Sequence, residues 1–444
     1  MGELSIEHDE VFRLKTSRQP GTLARALAVA GEHGAQIGEI ETVHVGPDFN
    51  IREVTIIAPD SETVERVHEA LEDVPGVEVL GAHIDKVMAQ HRGGKIGIHS
   101  RATVRTLQDV REVYTPGVAR VVAAIAEDES LADTLTWRGR TVAIVTNGTR
   151  VLGLGDVGPA ASLPVMEGKA LFYATLVDLN AVPIVLDAPD PDDIVETVKR
   201  LAPGFGGIHL EDIATPGVYE VEARLEAELD LPILHDDQHG TAVVVAAAVI
   251  SAAGELGLDL GDLVFGQVGL GAAGSAIAAL ASGFGFGEVL AFDPDSRGVG
   301  RLEQLADPAA RLSAGTDNLD AVIDRSDVLV MTTGQPGLLE TSRVREGQII
   351  MALTNPVPEI AIGDAREAGA AVAADGSIVN NVLAYPGLFR GALDAGAKRI
   401  TPAMKRAAAY AISTAAPPGQ LLPDPLDRDV HREVADAVKA AATS

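Results

Sequence analysis

The stretch LVFGQVGLGAAGSAIAAL, residues 263–280, decides the fold of the region around it. It begins as an apolar strand, turns through Gly269, Gly271 and Gly274 in a GxGxxG pattern, and continues as an alanine-rich helix. The first glycine permits the tight turn, the second lets a pyrophosphate approach the backbone, and the third lets the helix pack on the strand. This order of strand, glycine turn and helix predicts a Rossmann-type dinucleotide-binding domain.

An acidic residue follows this turn where such folds recognise the ribose. Asp293 ends the next predicted strand, roughly twenty residues further along the chain. Its carboxylate can accept hydrogen bonds from both ribose hydroxyls, which favours NAD over NADP, although the nearby Arg297 leaves NADP open as an alternative. We therefore predict cofactor contacts from Gly269, Gly271, Ala272, Ala273, Gly274 and Asp293.

The remainder of the chain divides into further units. Short apolar strands alternate with helical patterns before the glycine turn, which predicts a second parallel α/β sheet: TVAIVTNG (141–148), AVPIVLDA (181–188), GGIHLEDI (206–213) and LPILHDD (231–237). Residues 10–85 follow the order βαββαβ of a ferredoxin-like module. We predict an α/β protein with domains at 1–88, 89–238 and 239–416, followed by a C-terminal loop and helix at 417–444.

Composition restricts the classes of function. The chain has 35 basic and 64 acidic residues and a net charge of -29, which argues against nucleic acid as a partner. It has no cysteine, so disulfides, thiol nucleophiles and cysteine-ligated metals are excluded. The N-terminus lacks a signal-peptide pattern and the apolar runs are too short to cross a bilayer, so we expect a cytoplasmic protein without a membrane partner.

The motif HDDQHG, residues 235–240, has the histidine spacing of the HExxH zinc signature. That signature requires both histidines on one face of a helix. Gly240 and the good helix formers after Thr241 instead predict a strand-end turn, with the helix starting beyond it. A zinc-protease site is therefore not expected.

Two acidic pairs follow successive predicted strands, Glu211 with Asp212 and Asp236 with Asp237. The carboxyl ends of parallel strands lie along one edge of a sheet, so the two pairs should meet there. Carboxylates brought together repel unless a cation neutralises them, and an all-oxygen set suits Mg²⁺ or Mn²⁺. Either pair alone would fit a helix cap or a solvated turn, but two pairs at successive strand ends favour a metal.

Two further residues are candidates for acid–base chemistry. Lys169 interrupts the apolar segment SLPVMEGKALFYA, residues 162–174. Burial would lower the pKa of its ammonium from about 10.4 toward the range of a general base, whereas at the surface it would be an ordinary solvated lysine. Tyr114 precedes a Pro-Gly turn that would present its phenol at a loop, although a lone tyrosine is more often a packing residue.

Seven motifs, in the same order along the chain, resemble the bacterial malic enzymes. They lie between about residues 91 and 412: YTPGVAR (114–120), VLGLGDVGPAASLPVMEGKALFY (151–173), GFGGIHLEDI (204–213), HDDQHGTAVVVAA (235–247), GLGAAG (269–274), LTNPVPE (353–359) and NNVLAYPGLFRG (380–391). The resemblance implies oxidative decarboxylation of L-malate to pyruvate and CO₂, with NAD or NADP and with Mg²⁺ or Mn²⁺.

The same resemblance implies roles for individual residues. Lys169 matches the general base and Tyr114 the general acid of the family. The matched metal ligands are Glu211, Asp212 and Asp237, with Asp236 supporting them, whereas His239 is interpreted as a structural polar residue. The matched substrate contacts are Arg150, Asn355 and Asn381, of which Asn355 is also expected at the cofactor.

The N-terminal module resembles an ACT domain, a small fold that often binds amino acids at a dimer interface. The resemblance depends on PGTLARAL, residues 20–27, after the first strand. It implies an amino-acid or metabolite effector and a homodimer or higher homo-oligomer, and a role in dimerisation alone stays open.

Three other functions compete with this interpretation. A malolactic enzyme would use the same site and release lactate. An amino-acid dehydrogenase would leave the two acidic pairs unexplained. A non-catalytic metabolite sensor would be expected to lack the base or a ligand, yet Lys169, Tyr114 and the three acids are present.

Overall fold

The computed structural model describes residues 8–151 and 154–443, so positions 152–153 of the VLGLGDVG motif lie outside the described residues. The chain divides into two compact units, one ending at Gly97 and the other beginning at Ile98. The boundaries predicted at 238 and 416 remain predictions.

The first unit has the predicted βαββαβ order. Its antiparallel sheet runs in the order β2-β3-β1-β4, and a short β5 also pairs with β1. The last strand of that order is divided into two short strands, because Gly81 has a φ of 77° and takes the chain out of the ladder. The elements are β1 His8–Ser17, α1 Thr22–Glu32, β2 Gln36–Val45, β3 Phe49–Ala58, α2 Ser61–Glu72, β4 Val77–Val79, β5 Ile84–Asp85 and α3 Lys86–His91.

The second unit begins with short helices and then alternates strands with helices. The first half comprises α4 Leu107–Val113, α5 Val118–Glu127, α6 Ala132–Leu135, β6 Thr141–Thr146, α7 Gly158–Val177, β7 Asn180–Val185, α8 Pro191–Leu201, β8 Gly207–Leu210, α9 Gly217–Glu228, β9 Ile233–His235 and α10 Asp236–Glu255. The second half comprises β10 Val264–Val268, α11 Ala272–Ser282, β11 Glu288–Phe292, α12 Ser296–Leu305, β12 Leu312–Gly315, α13 Leu319–Arg325, β13 Val328–Met331, β14 Ile349–Ala352, α14 Ile362–Glu367, β15 Val372–Asp375, α15 Tyr385–Asp394, α16 Pro402–Ala415 and α17 Arg428–Ala442.

Both predicted parallel sheets are present. The first has the order β7-β6-β8-β9, and the second has the order β12-β11-β10-β13-β14-β15 of a Rossmann fold. Strands β6, β8, β13 and β14 are buried along their whole length because helices cover both faces of each sheet. Strand β12 was missed in the sequence, since LSAG at 312–315 is short and has no apolar run.

The C-terminal helix packs against the helix that follows the second sheet. A Cβ added to Gly387 of α15 would lie 2.5 Å from Val434 Cγ1, and one on Gly391 would lie 2.4 Å from the Ala435 carbonyl oxygen. The two glycines thus permit the close approach of α17, whose Val434 and Val438 are fully buried. No helix in the described ranges is long and apolar enough to span a bilayer.

Candidate active site

A cavity of about 760 Å³ lies where the carboxyl ends of strands from both parallel sheets meet. This is the edge of an open α/β sheet at which ligands are generally bound. Most of the residues predicted from the sequence line it: Arg150, Lys169, Glu211, Asp212, Asp237, Gly271, Ala272, Ala273, Gly274, Asn355 and Asn381.

The HDDQHG motif forms the first turn of a helix. Helix α10 begins at Asp236, so the prediction that the helix starts only after Thr241 was wrong. Gly240 does not end a turn; the Asp236 side chain folds back over it, and a Cβ there would lie 1.8 Å from Asp236 Oδ1. The glycine is needed for this close approach.

The two histidines of this turn do not form a zinc pair. His235 Nε2 lies 3.1 Å from Asp237 Oδ2, whereas His239 Nε2 lies 3.2 Å from Glu222 Oε1 on helix α9. Neither belongs to a cluster that could hold a metal in the described part of the chain. The pairing of His239 with Glu222 is compatible with the structural role predicted from the sequence.

Glu211, Asp212 and Asp237 form an acidic cluster that suits a divalent cation. Their carboxylate oxygens lie within 4.8 Å of one another, and Asp212 Oδ2 is buried without a hydrogen-bond partner. Burial and mutual repulsion raise the pKa of Glu211 to about 7 and that of Asp212 to about 8. Burial also opposes ionisation of Asp237, but the hydrogen bond from His235, together with the positive charges of His235, Lys169 and Arg150, outweighs burial and lowers the pKa of Asp237 to about 2. These oxygens fit Mg²⁺ or Mn²⁺.

Lys169 bridges the two acidic pairs. Its Nζ lies 2.5 Å from Asp236 Oδ2 and 2.8 Å from Glu211 Oε1, above the ring of Tyr385 at 4.8 Å. Burial lowers the pKa of the ammonium, but the charges of Asp236 and Glu211 more than compensate and raise it well above its ordinary value. The prediction of a lowered pKa was therefore wrong for the protein without a bound cation.

A second group of metal-type ligands, His209, Glu211 and Asp236, also lies within 4.8 Å. Here the Lys169 ammonium already lies between Glu211 and Asp236 and compensates part of their negative charge. His209 Nε2 is 2.7 Å from Glu211 Oε2 and is therefore engaged as a hydrogen-bond donor. The cluster with Asp212 and Asp237 is the better candidate for the metal.

Sequence reasoning missed three residues of this site, namely Tyr173, His209 and Tyr385. All three are buried, and the Tyr385 hydroxyl has no hydrogen-bond partner beside the cavity. His209 precedes Glu211 by two positions, and alternate residues of a strand point to the same face. The histidine two positions before Glu211 in GGIHLEDI could therefore have indicated that His209 contacts the acidic cluster.

The predicted substrate contacts lie on three different loops around the cavity. Arg150 follows β6, and its backbone N–H donates to the Asp212 carbonyl at 3.1 Å. Asn355 follows β14. The Asn381 amide donates to Asp236 Oδ2 at 3.2 Å and accepts from Thr241 at 3.2 Å, so it joins its own loop to the first two turns of helix α10.

Tyr114 is the one predicted catalytic residue that does not line the cavity. It follows the last residue of α4 and is 67% exposed. From Ile98 to Leu131 no described residue is buried, although this segment carries large apolar side chains. The most exposed of them are Ile98, Leu107 and Val122.

The glycine turn has the expected geometry. Gly269 has a φ of 90°, and a Cβ on Gly274 would lie 1.9 Å from the Gly269 carbonyl oxygen. A Cβ on Gly271 would meet no protein atom within 4 Å, so this position is open toward the cavity. Asp293 braces the turn, since its Oδ2 accepts from the Leu270 N–H at 2.6 Å.

Two arginines lie beside the glycine turn. Arg297 is paired with Asp295 at 2.6 Å and is largely exposed. Arg301 donates to the carbonyl oxygens of Leu270 and Gly271, both at 2.9 Å, and its guanidinium stacks on the Tyr219 ring at 3.7 Å. Arg301 therefore supports the turn without lining the cavity.

Comparison with known proteins identifies the family. The model of the malic enzyme N-terminal domain matches residues 95–226. The chain is 44% identical over 435 residues to NAD-dependent malic enzyme 1 of Bacillus subtilis (strain 168), with 97% of this chain and 96% of that protein covered. It is 38% identical over 451 residues to the NAD-dependent malic enzyme of Geobacillus stearothermophilus, with 97% and 94% covered.

A solved structure agrees with these relatives. The malic enzyme from Pyrococcus horikoshii OT3 is 34% identical, with a TM-score of 0.73 over 81% of this chain and 90% of that chain. The cavity with its lysine, acidic cluster and glycine turn lies in the part of the chain that the curated relatives cover. The chain belongs to the malic enzyme family.

Proposed function

We propose that this chain catalyses the oxidative decarboxylation of L-malate to pyruvate and CO₂, with NAD as the preferred cofactor and Mg²⁺ or Mn²⁺ as the metal. The observation that carries the proposal is Lys169, held by Asp236 and Glu211 in a cavity that the glycine turn also lines. The two relatives that cover 97% of the chain are both named NAD-dependent malic enzymes.

The metal ion and the dinucleotide would each supply one part of the chemistry. A divalent cation held by Glu211, Asp212 and Asp237 would supply a Lewis acid and would draw negative charge away from Lys169, which lowers the pKa of that ammonium. NAD, bound at Gly271 to Gly274, would supply the hydride acceptor.

The side chains around the cavity would handle the substrate and its protons. Lys169 takes the proton of the C2 hydroxyl as hydride leaves C2, and Asp236 holds the resulting ammonium. Arg150 and Asn355 bind carboxylate oxygens of malate, for which a guanidinium fork and a neutral amide are suited. The β-carboxylate then leaves as CO₂, and C3 takes up a proton from a general acid, for which Tyr114 is the candidate.

Tyr114 would serve the cavity of a second copy of this chain. Its own cavity lacks it, and the segment that carries it exposes Ile98, Leu107 and Val122 with no partner among the described residues. Several large apolar side chains exposed on one segment favour an interface. A homodimer with this segment exchanged would bury them and complete both sites.

Mixed dimers test this exchange. Lys169→Ala and Tyr114→Phe chains should each be nearly inactive alone. After co-expression, about one quarter of the wild-type activity should return, because half of the dimers are mixed and each contains one site with both residues. No recovery in dimers that are demonstrably mixed would place both residues in the same site, or Tyr114 in none.

The proposed reaction is tested by absorbance at the NADH band, with malate, Mn²⁺ and either NAD or NADP. Net NADH formation with equimolar pyruvate supports it, and NAD should give the higher kcat/KM. Lactate without net NADH would support the malolactic reaction instead. No turnover with either cofactor would contradict both.

The first unit would bind a small metabolite or amino acid, as its ACT-like pattern implies. Its ferredoxin-like sheet supports the proposal, and the cytoplasm remains the expected location of the enzyme. A chain lacking residues 1–88 should lose any response of the rate to a panel of amino acids and central metabolites. Identical kinetics of both chains across that panel would leave the unit a structural role.

A further inference from the structure

A chain of buried hydrogen bonds leads from the core to the metal cluster. The Tyr173 hydroxyl lies 2.9 Å from His209 Nδ1, and His209 Nε2 lies 2.7 Å from Glu211 Oε2. Tyr173 and His209 are both fully buried. The other oxygen of Glu211, Oε1, lies 2.8 Å from Lys169 Nζ.

The acceptor at one end fixes the direction of every bond in this chain. An ionised Glu211 only accepts, so His209 Nε2 must carry the proton that it donates. Nδ1 is then an acceptor, and Tyr173 can only donate to it. A neutral histidine of one tautomer therefore points its N–H at Glu211.

Aromatic packing prevents His209 from turning away. Its ring stacks on Phe389 at 5.9 Å with planes 16° apart, and the edge of Tyr385 contacts it at 5.1 Å. Space for Phe389 is provided by Gly207, where a Cβ would lie 2.9 Å from the Phe389 ring. Because His209 is also fully buried, this close packing restricts the rotation of its ring.

We propose that Tyr173 and His209 are positioning residues for the divalent cation, because together they hold the Glu211 carboxylate in the orientation that faces Asp212 and Asp237. This inference rests on the proposed Mg²⁺ or Mn²⁺ site. Without the His209 donor, Glu211 is free to turn toward Lys169 with both oxygens, which removes one ligand from the acidic cluster. Partners of this kind commonly change metal affinity by about 10- to 100-fold.

Direct Mn²⁺ binding to the full chain, without malate, tests the proposal. Free Mn²⁺ is measured by electron paramagnetic resonance, and NAD binding is measured on the same samples. His209→Ala should weaken Mn²⁺ binding about 10- to 100-fold. His209→Asn should recover part of that loss because its amide can donate to Glu211. Tyr173→Phe should weaken binding by a smaller factor, about two- to fivefold.

The double variant tests whether Tyr173 affects Mn²⁺ binding only through His209 or independently of it. Tyr173 acts only through His209, so Tyr173→Phe combined with His209→Ala should bind Mn²⁺ as weakly as His209→Ala alone. Matched controls are Tyr410→Phe, at a half-exposed ring outside the cavity, and His431→Asn, at a buried histidine of α17. Both should keep the wild-type affinity.

Three outcomes would overturn the proposal. Wild-type Mn²⁺ affinity in His209→Ala and Tyr173→Phe would remove the positioning role while leaving the metal site intact. A parallel loss of Mn²⁺ and NAD binding in Tyr173→Phe, a variant that removes one oxygen, would reduce the pair to general structural residues. No Mn²⁺ binding by the wild-type chain would contradict the metal site itself, and the relay with it.

Discussion

Two strand-end regions of the second unit border the same cavity but differ in the groups that they present to it. We call Glu211, Asp212, Asp236 and Asp237 the acidic edge, and residues 269–274 the glycine turn. In the acidic edge, Glu211 and Asp212 follow the buried strand β8, whereas Asp236 and Asp237 follow β9 and begin helix α10. The glycine turn follows β10 and leads into α11. The acidic edge brings charged side chains together, whereas the glycine turn removes side chains so that a ligand can reach the backbone.

The difference between the edges is electrostatic as well as steric. At the acidic edge, burial and repulsion oppose the ionisation of Glu211 and Asp212. Lys169 and an expected cation are the compensating positive charges. The glycine turn has no titratable side chain and offers only peptide N–H groups and the end of a helix. Changes of charge should therefore affect the first edge, and changes of volume the second.

Removing the Lys169 ammonium from the acidic edge should have the largest effect on the rate. Lys169→Ala leaves Asp236 and Glu211 without their shared donor and removes the proposed base. The rate of malate oxidation should fall by about 10²- to 10⁴-fold, the usual contribution of a positioned base. Decarboxylation of added oxaloacetate needs no hydroxyl deprotonation and should be partly retained. This reaction is measured as the loss of oxaloacetate absorbance.

Lys199→Ala provides the matched control, because Lys199 forms only exposed ion pairs with Glu196 and Glu228. Its rates should be unchanged. An equal loss of both reactions in Lys169→Ala would mean that the lysine maintains the site as a whole and is not the base.

How far the sequence predicted these edges depends on how local each one is. The glycine turn is encoded in six consecutive residues, because tight turn, close approach and helix packing are properties of neighbours in the chain. The acidic pairs could be predicted to meet because parallel strands end at one edge. The sequence could not reveal that the Asp236 side chain folds back over Gly240, so the start of α10 was misplaced.

The pKa of Lys169 illustrates a second limit. Its apolar sequence neighbours predict desolvation, which lowers the pKa, and burial does act in that direction. The opposing charges come from Glu211 and Asp236, which are distant in sequence, and the balance depends on distances of 2.8 and 2.5 Å. His209 was missed for a related reason, since its partners Tyr173 and Phe389 come from other elements.

Adding a methyl group at either of two positions of the glycine turn should affect stability in one case and NAD binding in the other. Gly274→Ala places a Cβ 1.9 Å from the Gly269 carbonyl oxygen, so we expect a loss of about 1–3 kcal/mol in the free energy of unfolding. Gly271→Ala meets no protein atom, and its melting temperature should stay at the wild-type value. Its KM for NAD should nevertheless rise by about tenfold, as the methyl group occupies space that the pyrophosphate requires.

Neither substitution should change the affinity for Mn²⁺, which is measured in the same variants. An unchanged KM for NAD in Gly271→Ala would mean that the cofactor lies elsewhere in the cavity.

Of the two edges, only the acidic edge should respond to pH, because the glycine turn has no titratable side chain. Glu211 and Asp212 have pKa values raised to about 7 and about 8, so between pH 5 and 8 the folded protein without metal binds more protons than the unfolded chain. The contribution of these two groups to the free energy of unfolding therefore falls as the pH rises through that window. Mn²⁺ must displace the same protons, so its affinity should rise by up to about tenfold per pH unit for each proton displaced.

Thermal unfolding with and without Mn²⁺ at pH 6 and pH 8.5 measures this effect. The stabilisation by Mn²⁺ should be larger at pH 8.5, and NAD should stabilise the protein about equally at both values. A larger Mn²⁺ effect at pH 6 would contradict the assignment of these two carboxylates as ligands.

The smallest expected effect concerns the contact that joins the two edges. Tyr219 stacks on Arg301, which holds two carbonyl oxygens of the glycine turn. On the same helix, α9, Glu222 accepts from the His235 N–H at 2.8 Å and from Gln238 at 2.9 Å, at the start of α10. Tyr219→Leu removes a stacking energy of about 0.5–1 kcal/mol, so the KM for NAD should rise about two- to fivefold. Tyr219→Phe keeps the ring and should keep the wild-type KM. If α9 also transmits the change to the acidic edge, the affinity for Mn²⁺ will weaken in Tyr219→Leu by a similar factor; if it is unchanged, the two edges bind their ligands independently although they share one cavity.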